Sequence, residues 1–86
     1  MIEVLVFVSD VCGHCKEVEM TFESLEKILD DVKIRIINID DHPGTGSVYD
    51  INELPTAVIL KDGIERQRLI GNHTQMAYTL AIRELD

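Results

Sequence analysis

Cysteine is scarce in this 86-residue chain: two residues are too few for the disulfide framework that staples small secreted domains. Basic side chains are few as well. Eight Lys and Arg stand against sixteen Asp and Glu, giving a formal charge of −8 with histidine neutral. Phosphate binding needs clustered cations, so this balance argues against nucleic acid and anionic membrane as partners. No apolar run approaches the ~18 residues of a membrane span. A signal peptide is not expected either. Glu3 interrupts the N-terminal apolar stretch, no basic segment precedes it, and no small-residue cleavage site follows. A reducing cytoplasm is therefore the expected compartment. The length leaves no room for a second domain, so residues 1–86 should form one. With 45% hydrophobic and 28% charged residues the composition is that of a folded globular chain, not a disordered one. A chain of this size buries somewhat more than ~60% of its unfolded surface, enough for one modest core without metal or disulfide staples.

The two cysteines lie three positions apart, in Cys12-Gly13-His14-Cys15. A bridge across so short a loop constrains little of the unfolded ensemble, so chemistry explains the pair better than stabilisation does. Its surroundings favour the same conclusion. Ile2 to Val8 is nearly all apolar and rich in β-branched residues, as in a central strand buried on both faces. Ser9-Asp10 breaks the run, and from Cys15 the period changes. Cys15, Val18, Phe22, Leu25 and Leu29 step by three and four, forming one apolar helix stripe, while Lys16, Glu17, Glu19, Glu23, Glu26, Lys27 and Asp30 occupy the other face. The cysteines thus fall at a strand-to-helix junction, at the start of the helix.

Val32 to Asp40 is a second expected strand, with Ile34, Ile36, Ile37 and Ile39 supplying bulk. His42 to Gly46 is expected to be a loop leading into a helical turn over Ser47 to Asp50. Thr56 to Leu60 is a third strand, and Asp62-Gly63 turns the chain into a fourth, Ile64 to Ile70, which Gly71 ends. Thr74 can cap a last helix with Ala77, Leu80, Ala81 and Leu85 as its apolar positions. The order is β-α-β, a connection with a short helix, then a β-hairpin and α. A right-handed crossover makes the first two strands parallel, and the hairpin adds two antiparallel ones. The expected fold class is α/β, with a four-stranded mixed β-sheet and flanking helices.

Thiol–disulfide exchange requires a thiolate to attack a disulfide sulfur and a second thiol to release the mixed disulfide. A helix N-terminus lowers the pKa of a thiol placed there through its unpaired N–H donors and dipole. Cys12 suits the attacking role. Cys15, a turn later on the apolar stripe, suits the resolving one. Gly13 leaves room for a partner chain, and a protonated His14 would favour the Cys12 thiolate and so the reduced form. Zinc usually needs four ligands, and no second Cys-x-x-Cys or paired-histidine motif accompanies this one; His14, His42 and His73 are the only other soft candidates. No metal site and no resident cofactor are expected. A metal or iron–sulfur carrier using the same thiolates remains an alternative, and so does a non-catalytic binding module.

The order of motifs resembles thioredoxin: a strand, Cys-x-x-Cys opening a helix, Leu54-Pro55-Thr56 before a strand, then Lys61-Asp62-Gly63 and a strand ending in Gly71. The stretch Asn38-Ile39-Asp40-Asp41-His42-Pro43-Gly44-Thr45 is similar to the thioredoxin sequence between these motifs. The chain lacks the additional N-terminal strand and helix of full thioredoxins, so its size looks more like glutaredoxin or the small archaeal and phage redoxins. The resemblance implies that Cys12 is the nucleophile and Cys15 the resolving cysteine. It also implies a cis bond before Pro55, next to the cysteines. The backbone of Leu54 would pair with a bound substrate strand, and Gly71 would line the same groove. Gly13-His14 matches the centre of protein disulfide isomerase. Its implied partners are disulfide-containing proteins and an upstream reductant, either a flavin-dependent reductase or glutathione, with the chain acting as a monomer.

Three departures stand out. The tryptophan that usually precedes the first cysteine is Val11, which removes an aromatic part of the partner surface. The buried acid of the first strand is Val6, and its lysine companion on the next strand is Ile36. Proton transfer at Cys15 is then left to water, Asp10, His14 or the substrate. The Gly-Gly pair and downstream Asp of glutaredoxins are replaced by Gly71-Asn72-His73-Thr74, which weakens a glutathione-linked, glutaredoxin-type reading.

Overall fold

The N-terminal apolar run forms β1 (Ile2–Val8). The computed structural model, which describes residues 1–86, continues with α1 (Cys15–Ile28), β2 (Val32–Asn38), α2 (Pro43–Val48), β3 (Thr56–Lys61), β4 (Ile64–Ile70) and α3 (Gln75–Arg83). The strands form one sheet in the order β2-β1-β3-β4. β1 runs parallel to β2 and antiparallel to β3, and β4 is antiparallel to β3.

β1 is apolar on both faces because both are covered. Val4, Val6 and Val8 pack with Cys15, Val18, Phe22 and Leu25 of α1 and with Tyr78, Ala81 and Ile82 of α3. On the opposite face Leu5 and Phe7 join Val58 and Leu60 under Tyr49 and Ile51. Each such side chain taken out of water contributes about 1.5–3 kcal/mol of transfer free energy. No helix is long and apolar enough to cross a membrane.

The limits of β2 and the short helix, the place of Cys12 and the inner face of the last helix differ from the sequence-based expectation. β2 stops at Asn38, not Asp40, because the Asn38 side-chain oxygen accepts the Asp40 N–H at 2.9 Å and its carbonyl accepts the N–H groups of Asp41 and His42. These bonds turn the chain before another ladder pair can form. The short helix begins at Pro43 and ends at Val48, where a loop and then a turn over Ser47 to Asp50 were expected. Pro43 stands in the first helical turn, where its fixed φ suits the helix and its missing N–H costs nothing. α1 itself starts at Cys15, with His14 as N-cap residue, so Cys12 lies in the turn before the helix. In α3, Thr74 caps as expected, its hydroxyl accepting the Ala77 N–H at 3.1 Å. The buried face, however, is Tyr78, Ala81 and Ile82, and Leu80 is 59% exposed. The Tyr78 ring sets the helix phase by packing at a tilt against Phe22, centroid to centroid at 4.5 Å.

The hairpin between β3 and β4 has φ +52° at Asp62 and +85° at Gly63, the left-handed pair that a twisted two-residue turn requires. The N-terminal ammonium donates to Asp62 at 2.6 Å. Arg68 of β4 forks onto Glu65 at 2.7 and 2.9 Å and also donates to the Tyr49 carbonyl at 2.8 Å. These bonds fix the hairpin to the end of α2.

The ion pairs predict a pH dependence. The Arg68 hydrogen bond holds the Glu65 carboxyl below its ordinary range, and Arg83 and the N-terminus do the same for Asp31 and Asp62. A folded-state pKa below the unfolded value contributes stability that is present above the unfolded pKa and is lost as pH falls. The urea midpoint should therefore hold through the neutral range and drop below about pH 4. The drop should be small, because the pairs are exposed and screened. Burial raises the Tyr78 phenol, so a second decline should begin above about pH 10. An acid limb unaffected by Arg68→Ala would contradict the assignment to Glu65.

Candidate functional site

The site lies at one end of the sheet because of how its strands run. β1 ends at Val8, and the chain leaves it through Ser9, Asp10 and Val11 to reach Cys12. β3 is antiparallel to β1 and pairs Thr56 with Phe7, so its first residues lie beside the exit of β1. β4 pairs Ile70 with Thr56 and therefore delivers Gly71 to the same end. The Gly71 N–H donates to the Pro55 carbonyl at 2.8 Å. The Leu54–Pro55 peptide is cis. Cys12, Leu54, Pro55 and Gly71, which are far apart in sequence, thus share one edge of the molecule.

Cys12 and Cys15 are joined as a disulfide, with their α-carbons 5.4 Å apart. Cys15 is buried on the inner stripe of α1, at 2% exposure, whereas Cys12 is half-buried at the surface of the same cluster. The turn is closed by the Cys15 N–H donating to the Cys12 carbonyl at 3.4 Å and the Val18 N–H donating to the His14 carbonyl at 3.2 Å. Gly13 is exposed, and a β-carbon there would meet no other atom of the chain within 4 Å. Val11 is 92% exposed. His14 points its Nδ1 toward Glu17, 3.7 Å from Oε2. Leu54 is half-buried between both cores, and Pro55 is buried.

Gly71 has φ +89°, a conformation in which a side chain would be strained. The loop after it is anchored by contacts that the sequence pattern does not reveal. The buried Tyr78 hydroxyl donates to the Gly71 carbonyl at 3.3 Å and accepts the His73 N–H at 3.2 Å. The Asn72 side chain donates to Glu17 at 2.8 Å, and a His73 ring nitrogen lies 2.8 Å from the Ile70 carbonyl. α1 and α3 together therefore set the position of Gly71. Only Tyr78 had a visible signal, as an aromatic next to the expected apolar stripe. The pairs between loop and helix had none.

Val6 is fully buried, and its register partner on β2 is Ile36, so no ionisable group lies on this part of the sheet. A cleft of about 200 Å³ is lined by both cysteines together with Ser9, Asp10, Lys16, Glu19 and Asn38. No three His, Cys, Asp or Glu side chains converge as metal ligands would.

Comparison with known proteins gives a consistent result. The family model described as Thioredoxin matches residues 2–84. The chain is 40% identical over 65 residues to thioredoxin of Chlamydia caviae, covering 76% of this chain and 64% of that one. It is 35% identical over 60 residues to thioredoxin of Mycoplasma genitalium, covering 70% and 59%. The chain thus spans about three fifths of the length of these curated relatives. Among solved structures, Fasciola hepatica thioredoxin superposes with a TM-score of 0.92 at 25% identity, over 99% of this chain and 81% of that one. Oxidised mitochondrial thioredoxin 3 of Saccharomyces cerevisiae gives 0.88 at 25%, over 96% and 77%. With its motifs in order, its sheet topology matched and its cysteine pair at the strand–helix junction, the chain belongs to the thioredoxin family.

Proposed function

We propose that this chain is a thiol–disulfide oxidoreductase that reduces disulfides in proteins through the Cys12–Cys15 couple. One observation carries the reading: the two sulfurs are within bonding reach at a strand–helix junction, with Cys12 at the surface and Cys15 buried beneath it. In the reduced protein the Cys12 thiolate attacks a substrate disulfide, and Cys15 then attacks Cys12, releasing the substrate and restoring the bond. Gly13 gives a substrate chain access. Val11, Leu54, Pro55 and Gly71 form the surface along which that chain lies, the Leu54 backbone pairing with it as an added strand. Electrons return from a flavin-dependent reductase or from glutathione. The chain works as a monomer in the cytoplasm.

His14 tunes the couple. When protonated, it stabilises the Cys12 thiolate and so raises the potential above that of a Gly-Pro centre, while the nearby Glu17 carboxylate offsets part of that charge. His14→Ala should move the potential, measured against a glutathione buffer, by roughly 30 mV toward more reducing values, the equivalent of about 1.4 kcal/mol. An unmoved potential would make His14 an inert surface residue.

The function is tested by the reduction of insulin disulfides with dithiothreitol as electron donor. The protein should accelerate the reaction well beyond dithiothreitol alone, and Cys15→Ser should accumulate a mixed disulfide at Cys12. No acceleration by the reduced, folded protein would reject the oxidoreductase reading. A metal or iron–sulfur carrier would be recognised instead by bound metal and visible absorbance after anaerobic purification.

A further inference from the structure

Resolution of the mixed disulfide requires Cys15 to lose a proton, and the structure restricts where that proton can go. Cys15 is 2% exposed and packs among Val6, Val18 and their neighbours. The strand pair Val6 and Ile36 contributes no acceptor. The polar side chains that line a cleft with both cysteines are Ser9 and Asp10 after β1, Asn38 at the end of β2, and Lys16 and Glu19 of α1. The neutral Ser9 hydroxyl is a far weaker base than a carboxylate. A lysine ammonium has no lone pair to offer. Glu19 is held by no hydrogen bond to another side chain. Asp10, in contrast, is fixed. Its Oδ1 accepts from Asn38 Nδ2 at 2.9 Å, its N–H donates to Asp40 at 3.1 Å, and the Asp40 N–H returns to Asn38 Oδ1 at 2.9 Å. This closed circuit ties the end of β1 to the end of β2 and leaves Asp10 Oδ2 without a protein partner.

Building on the oxidoreductase reading above, we propose that Asp10, positioned by Asn38, accepts the Cys15 proton through one water when Cys15 resolves the mixed disulfide. In that step the Cys15 Sγ–H bond breaks and its proton passes to Asp10 Oδ2. A bond forms between Cys15 Sγ and Cys12 Sγ, and the bond from Cys12 Sγ to the substrate sulfur breaks. The electron pair leaves on the substrate thiolate, so the cysteine pair is oxidised by two electrons and the substrate disulfide is reduced. The charged groups facing Asp10 are Asp40 after β2 and Lys16 and Glu19 of α1. His14 lies toward Glu17.

Ellman's reagent separates the two steps in a stopped-flow experiment on the full chain. One thionitrobenzoate is released as Cys12 attacks, and a second as Cys15 resolves. Asp10→Asn keeps the acceptor for Asn38 but removes the base. It should slow the second release about tenfold near neutral pH, below the 10²–10⁴ of a fully enclosed general base because the cleft is open. The first release should stay unchanged. The deficit should shrink as pH rises past about 8.5, where thiols ionise to solvent, and Asp10→Glu should recover most of the lost rate. A second release with wild-type rate and pH profile in Asp10→Asn overturns the proposal. So does a loss equal at every pH or shared by both steps, since either marks a structural role. A wild-type protein with no fast first release would instead refute Cys12 as the nucleophile, which is a separate failure.

Discussion

Cys12→Ser is expected to bring insulin reduction down to the rate of dithiothreitol alone. A serine hydroxyl is not ionised near neutral pH and cannot form the mixed disulfide, so no partial mechanism survives. The variant should still fold. A cross-link across four positions restricts the unfolded chain by about 2 kcal/mol at most, and the core around Val6, Val18 and Phe22 does not depend on the bond. Circular dichroism matching the wild type would separate lost chemistry from lost structure. Cys15→Ser should behave differently: it keeps the first attack, stalls at the mixed disulfide and turns over only as external thiol releases it. Equal activities in the two serine variants would contradict the proposed assignment of nucleophile and resolver, which rests on Cys15 being buried while Cys12 reaches the surface.

Phe22→Ala should produce the largest loss of stability. Phe22 is 1% exposed at the centre of the inner face of α1, between β1 and Tyr78 of α3. Removing a buried phenyl ring costs about 3–5 kcal/mol, combining lost transfer energy with the cavity left behind. A domain of this kind has only about 5–15 kcal/mol in total. The variant should therefore populate the unfolded state measurably in mild urea, and Phe22→Leu should retain most of the stability. The site should loosen along with the core, because α1 carries Cys15 and the Glu17 carboxylate that anchors Asn72. A shift below about 1 kcal/mol in urea unfolding would mean that this contact is not what seats α1 on the sheet.

The sequence by itself determined the features that local physics controls. The β-branched run of Ile2–Val8, the change to a helical period at Cys15, the Asp62-Gly63 turn and the Thr74 cap all act over a few residues, and each appears where its chemistry requires. The cysteine pair was legible for the same reason. Only the tertiary structure decided the rest. The sheet order β2-β1-β3-β4 and the antiparallel entry of β3 bring Cys12, Pro55 and Gly71 to one edge, and no local pattern records which strand ends will be neighbours. The inner face of α3 turned to Tyr78 and away from Leu80 because its phase is set by the Phe22 ring across the core. The circuit of Asp10, Asn38 and Asp40 joins two strand ends about thirty residues apart. Such a bond exists only once parallel pairing has aligned β1 with β2, since a hydrogen bond of about 3 Å depends on where the folded backbone places its two ends.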